Sequence, residues 1–231
     1  MKFIIIGLGN FGSSLGLQLI KDGHEVIGVD KIMSRIDLLQ DKFTHLVCLE
    51  AEDEAALSQL PFAETDVVVV SIGEDIGASV TVTAILKGLR PRRIVSRAIS
   101  PIHQTILEAM GIEEIIHPEA EYAQQLASRL AIKGALRSMT LDEKFDIVEL
   151  NLPAPLVGKT VQEVNFRKDW NLNIVTLLRS GYKPNLLGKL MRTTQVVGVI
   201  SPDTRLEQGD VLVTFGRSDD IERFSEHFSR Q

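Results

Sequence analysis

The sequence predicts a doubly wound, mostly parallel α/β sheet followed by a second, smaller α+β domain. Three observations carry this expectation. A glycine turn joins an apolar N-terminal strand to a helix. Near-continuous apolar strands then alternate with helical patterns as far as residue 117, and beyond about residue 145 the elements become shorter and mixed. Strands that are apolar throughout, rather than alternating, belong to parallel sheets covered by helices on both faces.

The first unit runs strand, turn, helix, strand, acid. Residues 2–6 (KFIII) are apolar and β-branched, and the run breaks at Gly7, Gly9 and Gly12, which stand as GxGxxG. Gly7 permits the sharp turn, Gly9 lets a phosphate approach the backbone, and Gly12 lets the helix pack close to the strand. The helix N-terminus beyond the turn favours anions. Strand 25–30 (EVIGVD) ends on Asp30, near the spacing expected for a carboxylate that accepts hydrogen bonds from a ribose. The unit as a whole is suited to holding the ribose and phosphates of an adenine nucleotide.

The alternation continues with a strand at 45–49, a helix at 52–59, a strand at 67–71 that contains four consecutive valines, and a helix at 76–89. A strand at 93–98, a helix at 101–110 and a short strand at 115–117 complete a six-stranded Rossmann-like domain. Residues 119–136 form a further helix, with Ala123, Leu126, Ala127 and Leu130 at helical spacing. That face fits either a subunit contact or packing within the chain. The polar stretch 137–144 reads as a linker. The second domain has strands at 147–150, 173–178, 196–200 and 211–215, a short helix at 161–164 and a final helix at 218–228. The expected organisation is therefore a nucleotide-binding domain over 1–136, a linker over 137–144 and a small domain over 145–231.

Composition narrows the function. The formal net charge of −6 argues against a general nucleic-acid binder, which needs a basic surface to displace counterions. The single cysteine, Cys48, lies in an apolar strand, is expected to be a buried packing thiol, and fits a reducing compartment. The N-terminus enters its first strand directly, without the pattern of a secretory signal. No apolar run approaches the roughly 18 residues that span a bilayer, so any membrane connection is expected to go through a partner.

A catalytic group is hard to find. A dehydrogenase needs a proton-transferring side chain beside its cofactor, and His24, His45, His103, His117 and His227 are scattered without a pattern. There is no metal-ligand pair at helical spacing, no CxxC and no nucleophile elbow. The GKT at 158–160 lacks the glycine that a P-loop requires five residues earlier, where Pro153 stands.

The strand ends are more informative, because ligands of open parallel sheets sit outside the carboxyl ends of the strands. Asn10 and Phe11 in the glycine turn join Asp30, Lys31, Glu50, Ala51, Ser71, Ile72, Gly73, Arg97 and Glu119 as candidate ligand contacts. Arg97 can neutralise phosphate. Glu119 can hold a divalent cation beside phosphate, or simply begin a helix, where a carboxylate is favourable in any case.

These features together resemble the bacterial RCK (TrkA-N/TrkA-C) family, the cytoplasmic regulatory subunits of Ktr/Trk-type potassium uptake systems. GLGNFG at 7–12, GHEV at 23–26, VD at 29–30 and IHPEA at 116–120 are similar to its first half. LVGKTVQEV at 156–164 and LEQGDVLV at 206–213 are similar to the TrkA-C domain. The resemblance implies a nucleotide sensor rather than an enzyme: a homodimer that assembles into a ring, commonly an octamer, on the inner face of the membrane beneath a potassium-translocating subunit. ATP/ADP or NAD/NADH would bias the gate. Gly7, Gly9 and Gly12 would cradle phosphates, Asp30 the ribose, and Ser71 to Gly73 would lie near the adenosine. Arg97 matches an often basic position, and Glu119 matches the acidic residue linked to Mg or Ca beside the phosphates.

Two departures stand out. Asn10 replaces an arginine that reaches phosphate in many Ktr-type members, forfeiting about 1.5–3 kcal/mol for a charged hydrogen bond. Residues 179–195 form a long acid-free hairpin with Arg179, Lys183, Lys189 and Arg192. It is either a solvated loop or a site for an anion such as cyclic di-AMP, which the second domain of some relatives binds. Two alternatives remain: a small NAD-dependent oxidoreductase, and a regulator of another cation transporter or antiporter.

Overall fold

The structure, a computed structural model, describes residues 1–184 and 190–229, with side chains described for 1–181 and 193–228. It divides into two compact units, Met1–Glu119 and Ala120–Gln231.

The first unit is a six-stranded parallel sheet with the strand order β3-β2-β1-β4-β5-β6, formed by β1 (Lys2–Ile6), β2 (Glu25–Asp30), β3 (His45–Cys48), β4 (Val67–Val70), β5 (Ile94–Arg97) and β6 (Glu114–Ile116). Helices α1 (Asn10–Lys21), α2 (Met33–Leu39), α3 (Glu54–Leu57), α4 (Ile76–Leu89) and α5 (Pro101–Ala109) connect the strands. Order reverses between β1 and β4, where a doubly wound sheet opens its ligand crevice. The consecutive apolar residues are used on both faces, because successive side chains of a strand point in opposite directions. Ile4, Ile6, Val68 and Val70 pack with Val82 and Leu86 on one face. Ile5, Val67 and Val69 pack with Ile36, Leu39 and Phe43 on the other.

Helix α6 (Pro118–Ala131) follows, and none of its residues is buried. The second unit carries a sheet of order β10-β9-β11-β8-β7, from β7 (Ala135–Thr140), β8 (Phe145–Asn151), β9 (Asn173–Pro184), β10 (Leu190–Val196) and β11 (Val211–Arg217), with neighbours antiparallel. Short helices α7 (Val161–Val164) and α8 (Phe166–Trp170) and the terminal α9 (Ser218–Ser229) complete it. Its core joins Val148, Leu150, Leu177 and Leu212 of the sheet to Phe166, Ile221 and Phe224 of the helices. Helix α7 starts with a capping box: Thr160 Oγ1 accepts from the Glu163 N–H at 3.2 Å, and the Glu163 carboxylate accepts from the Thr160 N–H at 2.6 Å. The Thr160 N–H, and after it the Thr160 hydroxyl, hold the Glu163 carboxyl below the usual carboxylate range.

The structure corrects four sequence-based expectations. Residues 137–144 are not a linker: residues to Thr140 lie in β7, paired with β8, and Asp142 closes the hairpin by accepting the Lys144 and Phe145 N–H groups, each at 2.8 Å. Their polarity suits an edge strand, whose outward groups face water. The division between units falls near residue 119 rather than 136. Beyond it α6 is tied to β7, with Ser138 Oγ donating to the Gln125 carbonyl at 3.0 Å, and Ile132 enters the second core. The strand expected at 196–200 ends at Val196, two residues before Gly198 turns the chain at φ +96°. Cys48 is exposed, not buried, because β3 is an edge of its sheet.

Candidate functional site

The glycine turn is built by a close approach between β1, α1 and the end of β4. Gly7 has φ +96°, a region L-residues rarely occupy. The Ser71 hydroxyl lies 2.6 Å from the Gly7 carbonyl and 3.0 Å from the Ile6 carbonyl, fastening the turn to β4. A Cβ on Gly12 would stand 2.0 Å from the Gly7 carbonyl oxygen and 2.5 Å from Ser71 Oγ, so only glycine lets α1 start this close to the sheet. A Cβ on Gly9 would meet no atom within 4 Å. Gly9 is the N-cap of α1, no side chain caps it, and the first turn carries no acid. The uncapped N–H groups and the positive end of the helix dipole are therefore available to an anion.

Beyond the turn lies a cavity of about 360 Å³, within the range of small-ligand sites. Gly7, Gly9, Asn10, Phe11, Asp30, Lys31, Glu50, Ala51, Ser71, Ile72, Gly73, Arg97 and Glu119 all line it. Gly12 does not line the cavity; it lies behind the wall, and its role is packing.

Asp30 is nearly buried and heavily engaged. Oδ2 accepts the Leu8 N–H at 2.7 Å and lies 3.3 Å from Arg35 Nη1, while Oδ1 accepts the Ile32 N–H at 2.9 Å. With two lone pairs per oxygen, Oδ1 retains one acceptor position, enough for one ribose hydroxyl. Lys31 Nζ lies 3.5 Å from Glu50 and 3.9 Å from Glu52.

Arg97 ends β5. Its guanidinium pairs with Glu119 through Nη2, lies 3.4 Å from the Ser71 carbonyl through Nη1, and stands 5.6 Å from the centroid of the Phe11 ring. Its Nε is buried and has no partner. A Cβ on Gly73 would fall 2.4 Å from the same guanidinium, so Gly73 leaves the room that Arg97 occupies. Cationic guanidinium and helix N-terminus thus line one cavity, a donor set that fits nucleotide phosphates. Glu119 is the only acid among the predicted residues on this side. Among the described residues no group of three His, Cys, Asp or Glu could hold a metal ion by itself.

Sequence reasoning missed Arg35 and Glu74. Arg35 sits on α2, an element with weak sequence signals, and its Nη2 reaches Glu74 Oε1 at 2.9 Å across the cavity. Burial opposes its charge, but the hydrogen bonds and charges of Asp30 and Glu74 outweigh that and raise its pKa. The acid at the end of β2 with a basic residue one helical turn later was the signal that could have located it.

Fold and site define a two-unit protein whose first unit is a Rossmann-like doubly wound sheet. Residues 3–118 match the TrkA-N domain and residues 147–229 match the TrkA-C domain, and the chain belongs to this TrkA-N/TrkA-C family. It is 31% identical over 223 residues to Ktr system potassium uptake protein C of Bacillus subtilis (strain 168), covering 96% of this chain and 95% of that protein. Ktr system potassium uptake protein A of the same organism is 30% identical, with the same coverage. Among solved structures, the GsuK channel superimposes with a TM-score of 0.63 at 16% identity, over 98% of this chain and 39% of that one. The GsuK channel bound to NAD gives 0.60 at 17%, over 97% and 39%. At such identities these two matches establish the fold, and this chain spans well under half of each channel.

Proposed function

We propose that this protein is a nucleotide-sensing regulatory subunit of a potassium uptake system, acting on a membrane-embedded potassium-translocating partner from the cytoplasmic face. The observation that carries the nucleotide part is the shared cavity: Gly9 and Asn10 at the uncapped N-terminus of α1, Arg97 and Asp30 all line it. The relatives named as potassium uptake proteins support the system. No helix among the described residues is long and apolar enough to cross a membrane.

In this reading Gly7, Gly9, Asn10 and Phe11 present backbone to the phosphates, and Asp30 takes a ribose hydroxyl. Ile72, Ala51 and Gly73 flank the adenosine, and Arg97 neutralises phosphate. Adenine nucleotide, ATP/ADP or NAD/NADH, then regulates by binding one conformation of the assembly better than another, since equal affinity shifts nothing. A Mg or Ca ion would find one protein ligand in Glu119 and need phosphate oxygens and water for the rest. Glu119 would first have to leave Arg97.

Assembly as a homodimer, and then a ring such as an octamer, is supported by α6, which buries nothing and exposes Tyr122 and Leu130. Cyclic di-AMP at the second unit has less support. Arg179 already binds Asp210 and Glu207, and the side chains of Lys183, Lys189 and Arg192 lie outside the described residues.

Isothermal titration with ATP, ADP, NAD and NADH, with and without Mg or Ca, tests the nucleotide reading. Saturable binding of at least one ligand is expected, weakened by Arg97→Ala. No binding of any of the four would overturn it. NADH turnover on simple carbonyl substrates would favour the oxidoreductase instead, and light scattering at micromolar protein tests for the dimer.

A further inference from the structure

Asp30, Arg35 and Glu74 form a chain of charge across one end of the cavity. Arg35 Nη1 lies 3.3 Å from Asp30 Oδ2 and its Nη2 2.9 Å from Glu74 Oε1. In this fold the acid that ends the second strand marks where the ribose 2′-hydroxyl sits, and a nearby arginine is the group that accommodates a 2′-phosphate. Here an arginine is present beside the acid, yet its charge is balanced by two carboxylates. Asp30 occupies it from below, and Glu74, whose side chain is 79% exposed, occupies it from the solvent side. The neighbouring cation gives no relief, because Lys31 is held between Glu50 and Glu52. Four carboxylates therefore surround two cations at this end of the cavity.

From this geometry we propose that Glu74 is a specificity-determining residue: by holding Arg35, it excludes adenine nucleotides that carry a 2′-phosphate. The inference rests on the nucleotide reading of the cavity and adds the class of nucleotide refused. A 2′-phosphate dianion entering beside Asp30 meets net negative charge and a guanidinium whose charge is already engaged by two carboxylates. Without Glu74, the outer edge of Arg35 faces the ligand, and the Asp30–Arg35 pair is neutral. Glu74 is thus a repulsive device, specificity built by penalising the wrong ligand rather than by improving the right one.

The matched probes are 5′-AMP and adenosine 2′,5′-bisphosphate, which differ only in the 2′-phosphate, titrated into the full-length protein. Wild type is expected to prefer AMP by about tenfold or more, the scale of one charged hydrogen bond. Glu74→Ala should shrink that preference to about threefold or less, and Arg35→Ala/Glu74→Ala should restore it, because the receiving guanidinium is gone. Thermal melting of each variant as folded protein accompanies the titrations. A preference unchanged in Glu74→Ala, or reduced equally in the double variant, overturns the proposal while AMP binding leaves the nucleotide site standing. Failure of wild type to bind either probe, or ADP, removes both together.

Discussion

The Asp30 carboxylate accepts the backbone N–H of Leu8 at 2.7 Å, across 22 residues of sequence. The acid proposed to take the ribose hydroxyl is therefore also a strut of the glycine turn. Two roles in one side chain make its substitution informative in two ways.

Asp30→Ala should destabilise the ligand-free protein, since the buried Leu8 N–H loses its acceptor and the partly exposed Ile32 N–H loses its own. A buried donor left unsatisfied costs about 1–3 kcal/mol. Urea unfolding without nucleotide reads this loss directly. A variant as stable as wild type would confine Asp30 to ligand binding.

Gly9 and Gly12 should fail differently. Gly12→Ala drives a methyl group into the Gly7 carbonyl oxygen, which is backbone and cannot step aside, so a loss of stability of about 1–3 kcal/mol or more is expected. Gly9→Ala meets no protein atom and should fold normally while its methyl group stands where phosphate would approach. Melting temperature and nucleotide titration, measured on both variants, separate the two. Equal melting temperatures would contradict the clash.

Arg179 should matter to folding rather than to a ligand. Its guanidinium makes two hydrogen bonds of 2.8 Å with Asp210, whose side chain is 1% exposed, and one of 2.6 Å with Glu207. The bond to Asp210 raises the arginine's pKa against the cost of burial, with the charges of Asp210 and Glu207 adding to it. Stranding a buried carboxylate costs about 3–5 kcal/mol, and the partial exposure of Arg179 brings the expectation for Arg179→Ala down to about 1–3 kcal/mol. Denaturant titration of the second unit's unfolding, in the intact chain, is the measurement. Salt should change the effect little, because Asp210 is shielded from solvent.

His103 should make stability fall on mild acidification. It is fully buried at the start of α5, its Nδ1 lies 3.4 Å from the Ile99 N–H, and its Nε2 has no partner. Burial, and then the charge of His117, holds its pKa below the ordinary 6.5. Below that value the unfolded chain takes up a proton that the folded chain refuses, so the contribution is complete above pH 6.5 and is lost as pH falls from there. Thermal melts at pH 7.5 and 5.5 should differ more for wild type than for His103→Leu. An identical pH response in the variant would assign the effect to another group.

Much of the first unit was legible because its signals are local. Four consecutive valines can only be a strand covered on both faces, and a glycine triplet before a helix, with an acid at the end of the following strand, leaves few alternatives. Thirteen of the fourteen candidate residues consequently meet in one cavity. The exception, Gly12, has the packing role that the third glycine of the motif predicts, and it does not reach the cavity. In the second unit the hairpin of 135–151 was hidden, because an edge strand with polar outward residues looks like a linker until its partner is known.

By itself the sequence determined the doubly wound sheet, the small domain after it, the glycine turn and the family, because each follows from periodicity and from residue types with narrow conformational freedom. Only the tertiary structure decided what those groups are bonded to. It showed Asp30 supporting Leu8, Arg35 held between Asp30 and Glu74, Arg97 paired with Glu119, and Arg179 withdrawn from its hairpin by Asp210. Charge pairing depends on distances between residues remote in the chain, and no local pattern encodes which of several nearby carboxylates a given cation will meet.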